Sequence, residues 1–169
     1  LKELWRDNAH LITYSNDPKL KVYVLQIMSI WLQNYCAPKY LYYLVPNAKK
    51  VIRHKDGTKE ETRLIPSSEV FLEHWHRAFK ALNKGFSILS NSKDYGAIQS
   101  KFLPYLTFSP LFSAINHLID NQANINKQDA KQKLKLFYWA NIYTQNYSGS
   151  TESKSARDYV LLQNWFADS

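Results

Sequence analysis

Residues that interrupt helices are scarce in this chain, which has four glycines and six prolines among 169 residues. The segments between them carry apolar residues at spacings of three and four, the period of an amphipathic helix. Since 45% of the residues are hydrophobic, the chain can bury a core of ordinary size. We therefore predict an all-α fold, an irregular multi-helix bundle that forms a single domain over residues 1–169.

The periodic segments begin and end near prolines and capping residues. The helices predicted from them cover approximately residues 17–36, 66–85, 109–121, 127–147 and 152–167. The first is apolar on most sides, so we expect it to lie at the centre of the core. Residues 136–143 are apolar except at Asn141, so we expect that part of the helix to be deeply buried.

One segment, "KVIRHKDGTKEETRLI" at residues 50–65, is typical of a short β-hairpin or an ordered loop. Its Asp56-Gly57 pair favours a type I′ turn, because both central residues of that turn need positive φ. A two-residue turn would place Arg53 opposite Glu60. Few of its residues are apolar, so we expect an exposed ribbon packed on the helices.

The break between the last two predicted helices has two interpretations. As a structural turn, Gly149 ends one helix in a left-handed conformation, and Ser150 or Thr151 caps the next. Apolar side chains would then pack across the pair, namely Trp139, Tyr143 and Tyr147 against Tyr159, Leu162 and Phe166. As a binding site, the break is a phosphate cradle at a helix N-terminus, where amide groups attract anions. That cradle would consist of Tyr147, Ser148, Ser150, Lys154 and Arg157.

No catalytic motif stands out in the sequence. It lacks the nucleophile elbow, the P-loop and the glycine-rich dinucleotide motif, so we predict neither NTP hydrolysis nor a cofactor. The segment "EHWH" places His74 and His76 about 200° apart on a helix, which disfavours a shared metal ion. An enzyme whose His and carboxylate groups meet only in space stays an alternative.

Cysteine and apolar patterns bear on the compartment. The only cysteine, Cys36, permits no disulfide within the chain, which indicates a reducing cytoplasm. The longest apolar stretch, residues 20–32, is shorter than the roughly 20 residues that span a bilayer, so no membrane is predicted. The chain starts at Leu1 and stops just after an apolar run, which suggests a piece of a longer protein.

The formal net charge of +8 is compatible with a nucleic-acid partner, and equally with general surface charge for solubility. Lys127, Lys131 and Lys135 recur every four residues and would share one helix face. A second cluster, which includes Arg53 and Lys55, surrounds the predicted hairpin, where acidic residues offset it. The lysine helix is therefore the better candidate for phosphate contacts.

The C-terminal segment "FYWANIYTQNYSGSTESKSARDYVLLQNWF" resembles a known family. The matching features are an aromatic helix, the break at residues 147–150, the residues 156–158 and the Trp165-Phe166 end. Upstream, "KFLPYLTFSPLFSAI" at residues 101–115 is similar as well. These features resemble the helical part of a large bacterial family whose N-terminal domain has a ParB/sulfiredoxin-like fold. That family includes the GmrSD-type modification-dependent restriction endonucleases.

The resemblance implies a parent protein with nucleotide chemistry in its N-terminal domain, often followed by an HNH-type nuclease. By that analogy this chain is a non-catalytic helical domain of a restriction or phage-defence protein, which packs against the catalytic domains and touches DNA. Two alternatives stay open. One is a nonspecific nucleic-acid-binding module that uses the lysine helix, and the other is a protein-interaction or oligomerisation domain.

Overall fold

A computed structural model describes residues 1–149 and 151–167. Its elements are α1 (Lys2–Asn8), α2 (Leu20–Gln33), α3 (Pro38–Leu41), β1 (Lys50–Arg53), β2 (Lys59–Thr62), α4 (Ser68–Leu89), α5 (Ser109–Asn121), α6 (Lys127–Tyr143) and α7 (Glu152–Ala167). The two strands pair with each other in an antiparallel hairpin. The prediction of a mostly helical bundle with a small hairpin is therefore confirmed.

Helix α5 lies at the centre of the core. Every residue from Ser109 to Asn116 is buried, and the helix contacts α2, α4, α6 and α7. Helix α2 packs against α4 and α5 and is itself largely buried. Because these helices come from both halves of the chain, one apolar cluster joins Ile12 near the start to Phe166 near the end.

Helices α4 and α5 approach each other closely at Gly85. A Cβ added at Gly85 would overlap Ser113 Oγ and would lie 3.1 Å from Ser113 Cβ. The absence of a side chain at this position therefore lets the two helices pack together.

Two predicted helices are longer than the observed ones. Helix α2 begins at Leu20, because the Asp17 carboxylate accepts a hydrogen bond from the Lys19 amide and forms a turn before it. The helix ends where Asn34 adopts a left-handed conformation, with φ of 55°. Helix α6 ends at Tyr143 rather than Tyr147, and the left-handed residue after it is Gln145, with φ of 51°.

The expected role of Gly149 is wrong, since this glycine does not adopt positive φ. The Thr151 carbonyl accepts a hydrogen bond from the Ser155 amide at 2.8 Å, which places Thr151 just before the first turn of α7. Ser150, the other expected cap, lies outside the described residues.

The predicted register of the hairpin is also wrong. Arg53 lies opposite Lys59, and Glu60 lies opposite Ile52. A hydrogen bond from the Gly57 amide to the His54 carbonyl closes the turn, and Gly57 has φ of 84° while Asp56 has negative φ. This is a three-residue loop, a type I turn followed by a left-handed glycine, rather than a type I′ turn.

The expected deep burial of residues 136–143 is wrong as well. Leu136 is 66% exposed and Tyr143 is 81% exposed, whereas the polar Asn141 is buried. Asn141 is satisfied there, because its Nδ2 donates to the Phe137 carbonyl and its Oδ1 accepts from Asn146. Helix α6 packs one face on the core, so an apolar side chain on the other face stays in solvent.

Four of the six residues expected to pack across the last two helices lie in the core. Tyr159, Leu162 and Phe166 are buried in the core, as is Tyr147. Tyr147 packs edge-on against Phe108, with ring centroids 5.0 Å apart. Tyr143 takes no part in the packing between α6 and α7. Helix α6 ends at this residue, and its side chain points into solvent.

Candidate nucleic-acid interface

The three lysines predicted to share a face of α6 have different surroundings. Lys127 Nζ donates to the Asp120 carbonyl at 2.7 Å, so it lies against the end of α5. Lys131 is exposed. Lys135 forms an ion pair with Asp94 at 3.0 Å, which offsets its charge. Lys127 and Lys131 therefore present more unbalanced charge than Lys135 does.

The start of α6, which carries Lys127 and Lys131, is fixed by a helix cap. Asn126 caps the helix, because its Oδ1 accepts hydrogen bonds from the Gln128 and Asp129 amides at 3.2 Å each. Lys133, on another face, contacts Asp129 at 2.9 Å and lies over the Trp165 ring of α7. The capped first turn gives Lys127 a defined position.

The hairpin cluster differs from its predicted arrangement. Glu61 pairs with Lys49 at 3.0 Å, and Glu60 lies 3.2 Å from His54. Arg53, Lys55 and Lys59 form no ion pair within the described residues, and all three are exposed. Glu60 and Glu61 therefore offset the charges of His54 and Lys49 and leave the three other cations exposed on either side of the turn.

The residues of the suggested phosphate cradle are largely directed to the protein itself. Tyr147 donates its hydroxyl to Asp158 at 2.8 Å, and Ser148 donates to the Gln145 carbonyl. Lys154 Nζ donates to the Asn146 carbonyl. Burial, followed by the Asp158 charge, raises the pKa of Tyr147 above its usual range.

Arg157 is an exposed cradle residue, and it pairs with Asp158 at 3.1 Å. It lines a different groove, which contains the stacked rings of Tyr35 and Tyr40. Ser150 lies outside the described residues. The described cradle residues therefore do not converge on one ligand position.

The structure adds a basic surface that the sequence analysis missed. Arg77, Lys80 and Lys84 lie on one side of α4 and line a groove of about 300 Å³ between α4 and α5. His117, Asp120 and Asn121 line it from α5, and we call it the α4–α5 groove. The spacing of 77, 80 and 84 is helical and could have been noticed, but their nearness to α5 could not.

Asp120 joins this surface to α6. Its carboxylate forms an ion pair with Lys84 at 2.7 Å, and its carbonyl accepts the hydrogen bond from Lys127. A continuous row of cations thus runs from α4 across the end of α5 to α6. It consists of Arg77, Lys80, Lys84, Lys127 and Lys131, which we call the basic face.

Arg77 lies beside a pair of packed rings at the edge of the groove. The Trp31 and His117 rings lie 4.5 Å apart, and the Arg77 guanidinium lies 5.3 Å from the Trp31 centroid. Arg77 Nη2 also donates to His74 Nδ1 at 2.6 Å. These contacts restrict Arg77 to one position at the edge of the groove.

The two histidines near Arg77 favour their neutral forms. Burial, followed by the Arg77 charge, lowers the pKa of His74 and that of His117. The hydrogen bond from Arg77 agrees with this for His74, because an arginine can only donate and Nδ1 must therefore accept. At neutral pH the positive charge of this region thus comes from arginine and lysine.

Two further findings concern other classes of site. Among the described residues, no group of three or more His, Cys, Asp or Glu side chains is arranged to hold a metal ion. None of the described helices is both long and apolar enough to cross a bilayer. The cytoplasmic location stays a prediction.

The comparisons with known proteins give one relative. No protein-family profile matches the chain, and no solved structure matches it. The chain is similar to an uncharacterized protein of Methanocaldococcus jannaschii, with 30% identity over 98 residues. The match covers 55% of this chain and 15% of the archaeal protein, so the chain spans a small part of that relative's length.

Proposed function

We propose that this chain is a non-catalytic helical module that contacts the phosphates of nucleic acid through its basic face. The module would belong to a larger DNA-processing protein, of restriction or phage-defence type, whose catalytic domains it packs against and positions. The nucleic-acid contact rests on the geometry of the basic face. The restriction-type parent rests on the resemblance of the C-terminal segment and stays a proposal.

The observation that carries the nucleic-acid contact is the continuity of the basic face. Asp120 of α5 links the cations of α4 to those of α6, because its carboxylate pairs with Lys84 and its carbonyl accepts a hydrogen bond from Lys127. Lys80 and Lys131 are exposed and form no ion pair within the described part of the chain. A phosphate backbone would neutralise such a row and release its counterions, which favours binding.

Nonspecific recognition suits this face better than sequence readout. Specific readout needs side chains that enter a groove and contact base edges, whereas cations along a surface contact phosphates of any sequence. Helix α4 carries its cations on the side that borders α5, so the two helices together form a broad surface rather than a projecting recognition helix. We therefore expect binding that depends strongly on salt and weakly on sequence.

The experiment is duplex DNA binding by the 169-residue chain at about 50 mM and about 200 mM salt. The test variant is Lys80→Glu/Lys131→Glu, which reverses two exposed charges of the basic face. We expect it to lower affinity at both salt concentrations and to reduce the salt slope by about 1 for each lysine. The variant Lys127→Glu/Lys131→Glu/Lys135→Glu tests the lysine helix predicted from the sequence in the same assay.

The matched control is Lys55→Glu/Lys59→Glu, which makes the same change in net charge at the exposed hairpin. If the basic face binds DNA, this control retains most of the affinity. Equal loss in both variants would show that binding is not confined to the basic face, and that it follows net charge or includes the hairpin. No binding by the unaltered chain at either salt would reject nucleic-acid contact and leave a purely structural domain.

A protein-interaction domain is the second candidate, and the outer faces of the last two helices favour it. Leu136 and Tyr143 of α6 are exposed, as are Leu161 and Trp165 of α7. Exposed apolar side chains mark a protein contact when they form a contiguous patch, and the spacing within each pair places its two side chains on one face of the helix. Light scattering over a range of concentrations tests self-association, and a constant monomer mass would count against a homo-oligomer.

A further inference from the structure

The α4–α5 groove differs from the rest of the basic face because it is concave. Its cations come from one wall, formed by α4, and its imidazole and amide groups come from the other wall, formed by α5. A volume of about 300 Å³ lies at the lower end of the range for small-ligand sites. The groove can therefore enclose the end of a ligand, whereas the open part of the face can only lie along one.

We infer that the α4–α5 groove binds a phosphate monoester, either the terminal phosphate of a nucleic-acid strand or that of a free nucleotide. The inference rests on the proposed nucleic-acid contact for its biological setting. The charge, the shape and the donor groups of the groove support it independently.

The charge of the groove matches a phosphate monoester. Arg77, Lys80 and Lys84 contribute three positive charges and Asp120 one negative charge, which leaves two positive charges. A phosphate monoester carries about −1.5 to −2 at neutral pH, whereas each phosphate inside a strand carries a single negative charge. The groove therefore neutralises a terminal phosphate more completely than an internal one.

Arg77 is already oriented for such a ligand. Its contacts with the Trp31 ring and with His74 Nδ1 hold the guanidinium in place. The bond to His74 uses one N–H of the five, so the others stay available as donors. An arginine held in this way loses little side-chain freedom when it binds an anion.

His117 offers a donor rather than a charge. The Asn121 amide nitrogen donates to the His117 carbonyl at 2.7 Å and lies 3.3 Å from His117 Nδ1. Because an amide N–H faces Nδ1, that nitrogen is the acceptor of the neutral ring, and Nε2 carries the proton. The lowered pKa of His117 agrees with a neutral ring in the empty groove. An anion close to the ring would shift its titration upward.

The test compares two single-stranded oligonucleotides of the same sequence, one with a 5′-phosphate and one with a 5′-hydroxyl, binding to the 169-residue chain. We expect the phosphorylated strand to bind about tenfold or more tightly, since the added contacts are charge-assisted hydrogen bonds. The Lys80→Gln variant should lose this preference. Lys131 lies outside the groove, so the Lys131→Gln control should weaken the binding of both strands equally and keep the preference for the phosphorylated one.

A second measurement follows the His117 ring by NMR while adenosine monophosphate or adenosine is added, with His117→Gln used to assign the signal. We expect the monophosphate to shift the His117 resonances and the nucleoside to leave them unchanged. Competition by the monophosphate against the phosphorylated strand would indicate a free nucleotide as the ligand. A shift without effective competition would indicate a strand end, and either result supports the site.

The outcomes separate this inference from the proposed function. Equal affinity for the two strands, with no His117 shift, would overturn the monoester site while leaving nonspecific nucleic-acid binding intact. A His117 shift with the monophosphate but no binding of either strand or of duplex DNA would support the groove and reject the proposed function. The midpoint of thermal unfolding is measured for each variant. If it matches that of the unaltered chain, unfolding is excluded as the cause of a change in binding.

Discussion

At Gly85 a missing side chain determines how closely two helices pack. Ser113 Oγ occupies the space that a Cβ would need. We expect Gly85→Ala to lower the free energy of unfolding by about 1–3 kcal/mol, because overpacking at this buried contact outweighs the better helix propensity of alanine. Chemical denaturation measures the change.

The Ser113→Ala variant provides the control for this contact. The Ser113 hydroxyl is buried and has no hydrogen-bond partner within the described residues, so its removal should cost little. In the double variant the alanine at position 85 meets a smaller neighbour, and part of the lost stability should return. Strictly additive effects would show that the clash with Ser113 is not the cause.

At the scale of the element, α6 shows that apolar composition alone does not predict burial. Leu134 is fully buried and Leu136 is mostly exposed. The two residues are two apart on one helix and therefore point to opposite sides of it. We expect Leu134→Ala to lower the free energy of unfolding by about 2–5 kcal/mol. We expect Leu136→Ala to change it by less than about 0.5 kcal/mol. Similar losses at both positions would mean that Leu136 is packed against the core as Leu134 is.

The junction of α2, α4 and α5 makes stability depend on pH. Burial and Arg77 lower the pKa of His74 and of His117 in the folded chain. The unfolded chain therefore binds more protons, so the stability that depends on neutral rings is complete above the ordinary pKa of 6.5. It is lost as pH falls from that value through the lowered pKa values of the folded chain. Thermal melts at several pH values should show the loss. The His117→Gln variant should lose less stability as pH falls. If its stability changes with pH as that of the unaltered chain does, His117 is not a source of the effect.

At the scale of the molecule, the apolar cluster includes residues from α2 through α7. Because α5 contacts helices from both halves of the chain, neither half keeps its core without the other. We expect one cooperative unfolding transition, with equal calorimetric and van't Hoff enthalpies, in keeping with a single domain. Two resolved transitions would instead indicate two domains.

Charge also acts at the scale of the molecule. The net charge of +8 is visible in the sequence, but its consequence depends on where the unpaired cations gather. The charge of Lys135 is offset by its ion pair with Asp94, which is 41 residues away in the chain. Lys127 instead meets Lys84 at Asp120. The predicted lysine helix therefore became one end of a larger basic face.

Local patterns were sufficient to predict the helical fold and several helix ends. Helix α5 over residues 109–121 and α7 over residues 152–167 begin and end where the sequence predicts. Proline, capping residues and apolar periodicity act within a few residues of one another, so a single segment contains the whole signal. The turn at Asp56-Gly57 was located in the same way, although its type was not.

Tertiary packing decided everything that depends on contact between distant segments. It exposes Leu136 and buries Asn141, and it brings Arg77 against Trp31 and His117. The hairpin register likewise depends on a single added loop residue. Two turn types of similar composition differ by that residue, and the sequence does not show which of them forms. Residue spacing indicates which side chains share a helix face, but only the packing of the helices determines which faces meet. For that reason Lys127 and Lys131 could be proposed from the sequence, whereas the α4–α5 groove required the structure.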